Sequence, residues 1–253
     1  MADTAEYGRF AAVYDELMRG VDYEGWTDYL CSLLNECGVP DGGSVVDCAC
    51  GTGEITLRLQ KRGYSLTGVD RSVEMLAAAQ KKARSAGIKI PFIAQDMRAL
   101  CVHKPVDAVV CACDGVNYLL DGKDVHAFFT TAHAALKPGG VLLFDVSSAY
   151  KLENVLGMNT FGEDTGECVY LWRNAFDPRT RLLEMNLSFF TPAKDGRYER
   201  FDETHVQRAH AADDLIETLA ACGYETLGVY DAFTRNAPSA ASERIQFAAR
   251  RKG

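Results

Sequence analysis

Val45-Val46-Asp47-Cys48-Ala49-Cys50-Gly51-Thr52-Gly53 decides how the rest of the chain is read. Two β-branched residues lead into an acid and small residues, and a helical pattern starts at Glu54, just past Gly-Thr-Gly. Such a stretch is a buried strand running into a tight turn and then a helix N-terminus. Glycines at 51 and 53 let a ligand approach the backbone, because no Cβ stands in its way. The free N–H groups of the new helix face whatever anionic group arrives. Gly-x-Gly alone fits an empty strand–helix connection equally well, so its meaning rests on the flanking chain.

Downstream, strands and helices alternate. The first strand, 44–49, is followed by a helix over about 54–62 that Gly63 closes. Ser65–Val69 ends on Asp70, and Ser72 caps a helix bearing Val73, Leu76, Ala77 and Ala83 up to Gly87. Ile90–Ala94 ends in Gln95-Asp96-Met97, and Val106–Ala112 ends in Cys113-Asp114. A helix with Val125, Phe128, Phe129, Ala132 and Leu136 then stops at Pro138-Gly139-Gly140, before a fifth strand over Val141–Val146. Continuous apolar strands between amphipathic helices indicate a parallel sheet covered on both faces. Ligands of such sheets sit beyond the carboxyl ends of the strands, where strand order reverses. Asp47, Gly51, Asp70, Asp96 and Asp114 all fall at that edge.

Upstream, Tyr7, Phe10, Ala11, Tyr14, Leu17 and Met18 make one helical face, and Trp26, Tyr29, Leu30, Leu33, Leu34 and Cys37 a second. Residues 1–43 are expected to lie across the domain as a helical cap. After the fifth strand the period changes. Leu183, Met185, Leu187 and Phe189 alternate with polar residues, Cys168, Tyr170 and Trp172 form a similar face, and turns fall at Asp177-Pro178 and Asp195-Gly196. Residues 151–207 therefore read as a small antiparallel β insert, on the acceptor side or at an oligomer contact. A helix from Asp213-Asp214 to Gly223 and strands at Tyr224–Tyr230 and Arg244–Ala249 return to the main sheet, so the principal domain is 44–150 with 208–253.

The chain has 253 residues and a net charge of −8, and its basic residues are scattered. An acidic surface repels phosphate backbones, so no nucleic-acid partner is expected. The opening Met1-Ala2-Asp3-Thr4-Ala5-Glu6 lacks the basic and apolar regions of a signal peptide. No window reaches the roughly 18 apolar residues of a membrane span. The expectation is a cytoplasmic protein with no membrane partner and with its nine cysteines reduced. The close pairs Cys48/Cys50 and Cys111/Cys113 lie within apolar runs, whereas zinc sites favour looser Cys-x-x-Cys knuckles. They read as small hydrophobes, and no metal is expected.

The nucleotide that suits this edge follows from what is absent. A dinucleotide turn reads Gly-x-Gly-x-x-Gly, the third glycine allowing close helix packing beneath a pyrophosphate. Here Thr56 holds that position, which counts against the rival reading on the same fold, a nicotinamide-dependent oxidoreductase. Asp70 can accept hydrogen bonds from two ribose hydroxyls, and Asp96 can accept one from an adenine amino group with Met97 against the ring. A ribose acid, an adenine acid and a glycine turn without a phosphate cradle suit S-adenosylmethionine (SAM).

With these residues the chain resembles the class I SAM-dependent methyltransferases. The likeness is carried by Asp47-Cys48-Ala49-Cys50-Gly51-Thr52-Gly53, Gly68-Val69-Asp70, Gln95-Asp96-Met97, Lys137-Pro138-Gly139-Gly140 and Ala221-Cys222-Gly223-Tyr224. Tyr7, Tyr14-Asp15-Glu16-Leu17-Met18 and Asp114-Gly115-Val116-Asn117-Tyr118-Leu119 resemble a bacterial small-molecule branch that includes sugar-amine N-methyltransferases. The resemblance implies a Rossmann-like, doubly wound α/β fold. Its sheet would have seven strands, the last one antiparallel, with a helical cap and the insert after strand five.

It further implies that Gly51 and Gly53 line the methionine end of SAM, Asp70 the ribose, and Asp96 and Met97 the adenine. Tyr14 would meet the amino-acid moiety, and Cys113 and Asp114 would lie beside the sulfonium. Asp47, Ala49 and Arg71 complete the cofactor set, although the family often has glycine where Ala49 stands. The partner would be a small-molecule acceptor, taken by a monomer or homodimer, with Tyr118, Trp172 and Arg173 shaping its pocket. A base is needed only where the nucleophile starts protonated. His205, at the end of the insert, is the candidate, ahead of His103, His126, His133 and His210. A non-catalytic SAM-binding protein would share the binding residues.

Overall fold

A computed structural model describes residues 10–253, so Tyr7 and the predicted start of the first helix lie outside the described residues. Helix α1 (Ala11–Leu17) is short, and α2 (Tyr23–Glu36) follows. The Asp22 carboxylate starts α2 by accepting the Gly25 N–H at 2.9 Å, satisfying one of the orphan donors of its first turn.

The two helices do not form one cap. The stripe Trp26, Leu30, Leu33 and Leu34 is buried against Val45, Leu66, Val110 and Leu143, so α2 belongs to a layer on the face of the main sheet. Its long apolar stripe is satisfied only by a broad surface, which a sheet face supplies and a strand edge does not. Helix α1 reaches over the edge, where Phe10 and Ala11 pack with residues of the insert.

Strand β1 (Ser44–Cys48) leads through the glycine turn into α3 (Glu54–Lys61), and β2 (Ser65–Asp70) into α4 (Val73–Ser85). Ser72 caps α4 by accepting the Met75 N–H, as its position implies. Next come β3 (Phe92–Ala94), β4 (Val106–Cys111), α5 (Gly122–Ala135) and β5 (Leu136–Ser147). Strand β3 is shorter than its apolar run. Pro91 has no N–H to give to a ladder, and at the sheet's edge Ile93 stays 40% exposed. Strand β5 starts earlier than the Pro-Gly-Gly signal suggests, pairing Leu136 with Val106 before the register shifts.

The insert follows as β6 (Thr160–Asp164), β7 (Val169–Asp177), β8 (Leu182–Pro192) and β9 (Tyr198–Arg208), an antiparallel sheet in chain order. Asp177 and Asp195 close the two predicted turns, each accepting the N–H of the arginine two residues on. Leu183, Met185, Leu187 and Phe189 bury one face of β8 against Phe10, Met75 and Leu152. At ~1.5–3 kcal/mol for each fully buried large apolar side chain, that row fastens the insert to the main domain.

Helix α6 (Ala212–Ala221), β10 (Tyr224–Asp231) and β11 (Arg244–Arg251) complete a seven-stranded sheet ordered β10-β11-β5-β4-β1-β2-β3. Strand β11 is antiparallel to both neighbours, and β1 to β5 are parallel. Helices α5 and α6 cover the face opposite α2, around Phe128, Phe129, Phe144 and Phe247, the last two stacked at 4.7 Å. Chain order reverses between β1 and β4, so the crevice of this fold opens at their carboxyl ends. Among the described residues no helix is long and apolar enough to cross a membrane.

Candidate functional site

A cavity of about 290 Å³ lies at that reversal point. Gly51 and Ala49 of the turn after β1, Asp70 and Arg71 after β2, Asp96 and Met97 after β3, and Cys113 after β4 all line it. Asp47 lines it from the end of β1 and Tyr14 from α1, so nine of the sequence-predicted cofactor residues meet at one surface.

The glycine turn is shaped by its backbone. Gly51 has φ +54°, and a Cβ built there would meet nothing within 4 Å, so the space above it is open to a ligand. Gly53, at φ +79°, has a different task. A Cβ there would come within 3.0 Å of Ala79 on α4, so this glycine lets α3 and α4 approach, and it does not line the cavity. Ala49 has φ +59°, which explains why glycine suits its place; an alanine held left-handed costs ~1–2 kcal/mol.

Asp70 ties the turn together. One carboxylate oxygen accepts the Gly51 N–H and the other the Ser72 N–H, both at 2.8 Å. Burial raises its pKa and these backbone donors oppose the rise. Asp47 is buried more completely and is pushed up to about 7, mainly by desolvation, with Thr56 opposing and Asp70 adding to the rise. The Thr56 hydroxyl donates to Asp47 at 2.5 Å. The residue that breaks the dinucleotide fingerprint is thus the partner of a buried carboxyl.

At the far wall Arg98 grips Asp96 through side-chain and backbone N–H groups, which holds the Asp96 carboxyl below its usual range, and it reaches Asp124 at 3.1 Å. Arg98 and Asp124 line the cavity too, as do Tyr23, Glu54, Met75 and Val206. Arg98 could have been read from its place directly after Asp96-Met97. Asp124 and Val206 carry no sequence signal, because each arrives through tertiary packing.

Helix α1 is pinned over the turn. Asp15 accepts from the Thr52 hydroxyl at 2.6 Å and pairs with Lys82 of α4 at 2.8 Å, and Lys82 also holds Glu54 at 2.6 Å. Tyr14 is thereby fixed against the cavity, its hydroxyl pKa raised by burial and by the neighbouring Tyr23.

Asp114 is not on the cavity wall. Its carboxylate accepts from Ser147 Oγ at 2.9 Å and pairs with Arg244, on the side turned toward β5 and β11. Tyr118 does line the cavity, whereas Trp172 packs on Phe161 and Arg173 donates to Ser188 Oγ, both on the insert away from it. His205 is 3% exposed, between the rings of Phe10 and Tyr118 at 5.4 and 6.1 Å, and stands behind the cavity lining. Burial, helped by Arg71, pushes its pKa down to about 4, so it is neutral at pH 7 and a weak base. His210 is likewise depressed to about 4 by burial and faces the Val116 carbonyl. His103, His126 and His133 lie away from the cavity.

The donor set suits SAM. Open space over Gly51, the Asp70 carboxylate with lone pairs to spare and an acid beside Met97 suit a nucleoside, and of the two arginines on the wall Arg98 is already engaged by Asp96 and Asp124.

A family model described as a methyltransferase domain matches residues 45–140. Over 246 residues the chain is 40% identical to YqeM of Bacillus subtilis (strain 168), a protein named as a candidate methyltransferase, with 97% of each chain covered. The crystal structure of a SAM-dependent methyltransferase from Clostridium acetobutylicum ATCC 824 superposes with a TM-score of 0.87 at 35% identity, covering 98% of this chain and 99% of that one. KedS8, a sugar N-methyltransferase from Streptoalloteichus sp ATCC 53650, shares the fold at a TM-score of 0.79 and 23% identity, covering 95% of this chain and 93% of its own.

Proposed function

Since the chain belongs to the class I SAM-dependent methyltransferases, we propose that it moves the sulfonium methyl of SAM to the nitrogen or oxygen of a small-molecule acceptor by in-line displacement. The observation that carries this reading is the convergence of Gly51, Asp70, Asp96 and Tyr14 on one cavity at the strand-order reversal.

When bound, SAM supplies a carbon already activated toward displacement. The protein's part is placement. Asp70 would accept the ribose hydroxyls, Asp96 would meet the adenine amino group beside Met97, and the open space over Gly51 would take the methionine end. Tyr14 would close the site from α1 against water, and Cys113, Tyr118 and Val206 would border the methyl-bearing end, where the acceptor would be held. Holding the acceptor at near-attack distance is the main effect such a site contributes, worth up to ~7–11 kcal/mol in well-oriented reactions. KedS8's name, with the shared fold, makes amines the first acceptors to try.

Calorimetry with SAM, S-adenosylhomocysteine (SAH) and NADH tests the cofactor, and labelled SAM offered to amine, hydroxyl and carboxyl acceptors tests the transfer. SAM and SAH should bind and NADH should not. Tight NADH binding without SAM binding overturns the reading. SAM binding with no transfer to any acceptor class leaves a non-catalytic binding protein.

A further inference from the structure

The loop after β4 takes an unusual course. Cys113 and Asp114 are consecutive non-glycine residues at φ +61° and +68°, a conformation that persists only where surrounding bonds over-determine it. Those bonds come from the ends of β5 and β11. Asp145, 1% exposed, accepts the Cys113 N–H at 2.9 Å and the Asp114 N–H at 3.3 Å. Ser147 Oγ donates to the Asp114 carboxylate, and Asn117 brackets the Ser147 backbone, accepting its N–H at 2.9 Å and donating to its carbonyl at 3.0 Å. The side chains alternate. Cys113, Gly115 and Tyr118 line the cavity, while Asp114 and Asn117 face this bracket.

Two carboxylates so close cannot both stay ionised unless a cation stands between them. Arg244 is the cation that touches both, and Lys151 also favours the ionised form of Asp114. From β11, opposite Ser147 in register, one guanidinium nitrogen contacts both Asp114 and Asp145, and the Trp26 ring lies over the guanidinium carbon at 4.7 Å. Without it one carboxyl would take up a proton, and the acceptors that hold the Cys113 and Asp114 amides would weaken.

We propose that Arg244 is a positioning residue of the methyl-transfer site. Through Asp145 and Asp114 it holds the Cys113–Tyr118 segment against the methyl-bearing end of the cofactor. The proposal rests on the cavity being the SAM site.

The test compares adenosine, which reaches only the Asp70 and Asp96 half, with SAM, which spans both halves. In R244M, SAM affinity should fall tenfold or more while adenosine affinity stays within twofold, and R244K, which keeps the charge, should bring SAM back to within about threefold of wild type. Amide exchange at Cys113 and Asp114 should quicken in R244M and not in R244K. A folded R244M with unchanged SAM affinity overturns the proposal, as does an equal loss of SAM and adenosine in a folded protein. If R244M does not fold, S147A decides: SAM weakened threefold or more with adenosine retained supports the proposal, and both unchanged refutes it. Failure of the wild type to bind SAM would instead sink the reading of the cavity.

Discussion

Asp70→Ala separates the observed job of one carboxylate, bracing the turn, from its proposed one, holding the ribose. Its oxygens accept backbone N–H groups from Gly51 and Ser72, both at 2.8 Å. A carboxylate has about four lone-pair sites, so roughly two remain for the ribose hydroxyls. Losing hydrogen bonds to a charged group on the ligand should cost ~1.5–3 kcal/mol, or a roughly 10- to 150-fold rise in the Kd for SAM. The cost to folding should be of the same order. Two amides lose their acceptor, at ~1–3 kcal/mol for each one left unsatisfied. Removing a carboxylate whose ionised form is disfavoured by burial offsets part of that cost.

Calorimetry with SAM gives the first number, and a ligand cycle assigns it. Adenosine and 2′,3′-dideoxyadenosine differ only in the ribose hydroxyls, so the wild type should lose affinity for the dideoxy compound and D70A should hardly distinguish the two. An identical dideoxy penalty in both proteins would refute the ribose assignment, even if SAM binding had weakened. Asp70 would then act on affinity only through the turn it braces.

Three other changes probe the same edge. Asp47, ordinarily near 3.8, titrates near 7 in the folded chain, so the native state binds the proton more tightly than the unfolded one. Between these values its contribution to stability must fall as pH rises, by about 3–4 kcal/mol at most. His205 and His210, both depressed to about 4, act the other way and favour the higher pH, so from pH 5 to pH 8 the denaturant midpoint should shift further upward in Asp47→Asn than in wild type, and equal pH slopes in the two proteins would exclude the effect. Ala49→Gly should leave the fold unchanged and raise its stability by up to ~1 kcal/mol, since release from a left-handed alanine exceeds the extra entropy of an unfolded glycine; a lowered melting temperature would contradict this. His205→Phe fills the place between Phe10 and Tyr118 and should lower kcat/KM for any acceptor found by less than tenfold. A drop of 10²–10⁴-fold would restore His205 as a general base.

What the sequence disclosed is what short-range chemistry decides. The turn at Gly51, the strand-end acids Asp70 and Asp96, the Ser72 cap and the period-two row of β8 need only a few neighbours to define them, and each stands where its local pattern puts it. Asp114 falls at the same sheet edge by the same logic, yet it turns to Arg244, a partner 130 residues away that no window on the sequence could supply. Gly53 belongs to the fingerprint by spacing and to helix packing by contact. Helix α2 carries an amphipathic stripe that fits either a cap or a layer, and only the width of the surface it meets decides between them. His205 makes the sharpest case. A histidine near the site is a sound candidate base until burial between two rings removes the solvation its charged form requires, and that burial comes from α1 and the loop after β4, far from β9 in sequence. Residues that line the cavity can thus be read from the strand ends. Residues whose role is to hold those in place, Arg244 and Asp145 foremost, become visible only once β5 and β11 lie side by side.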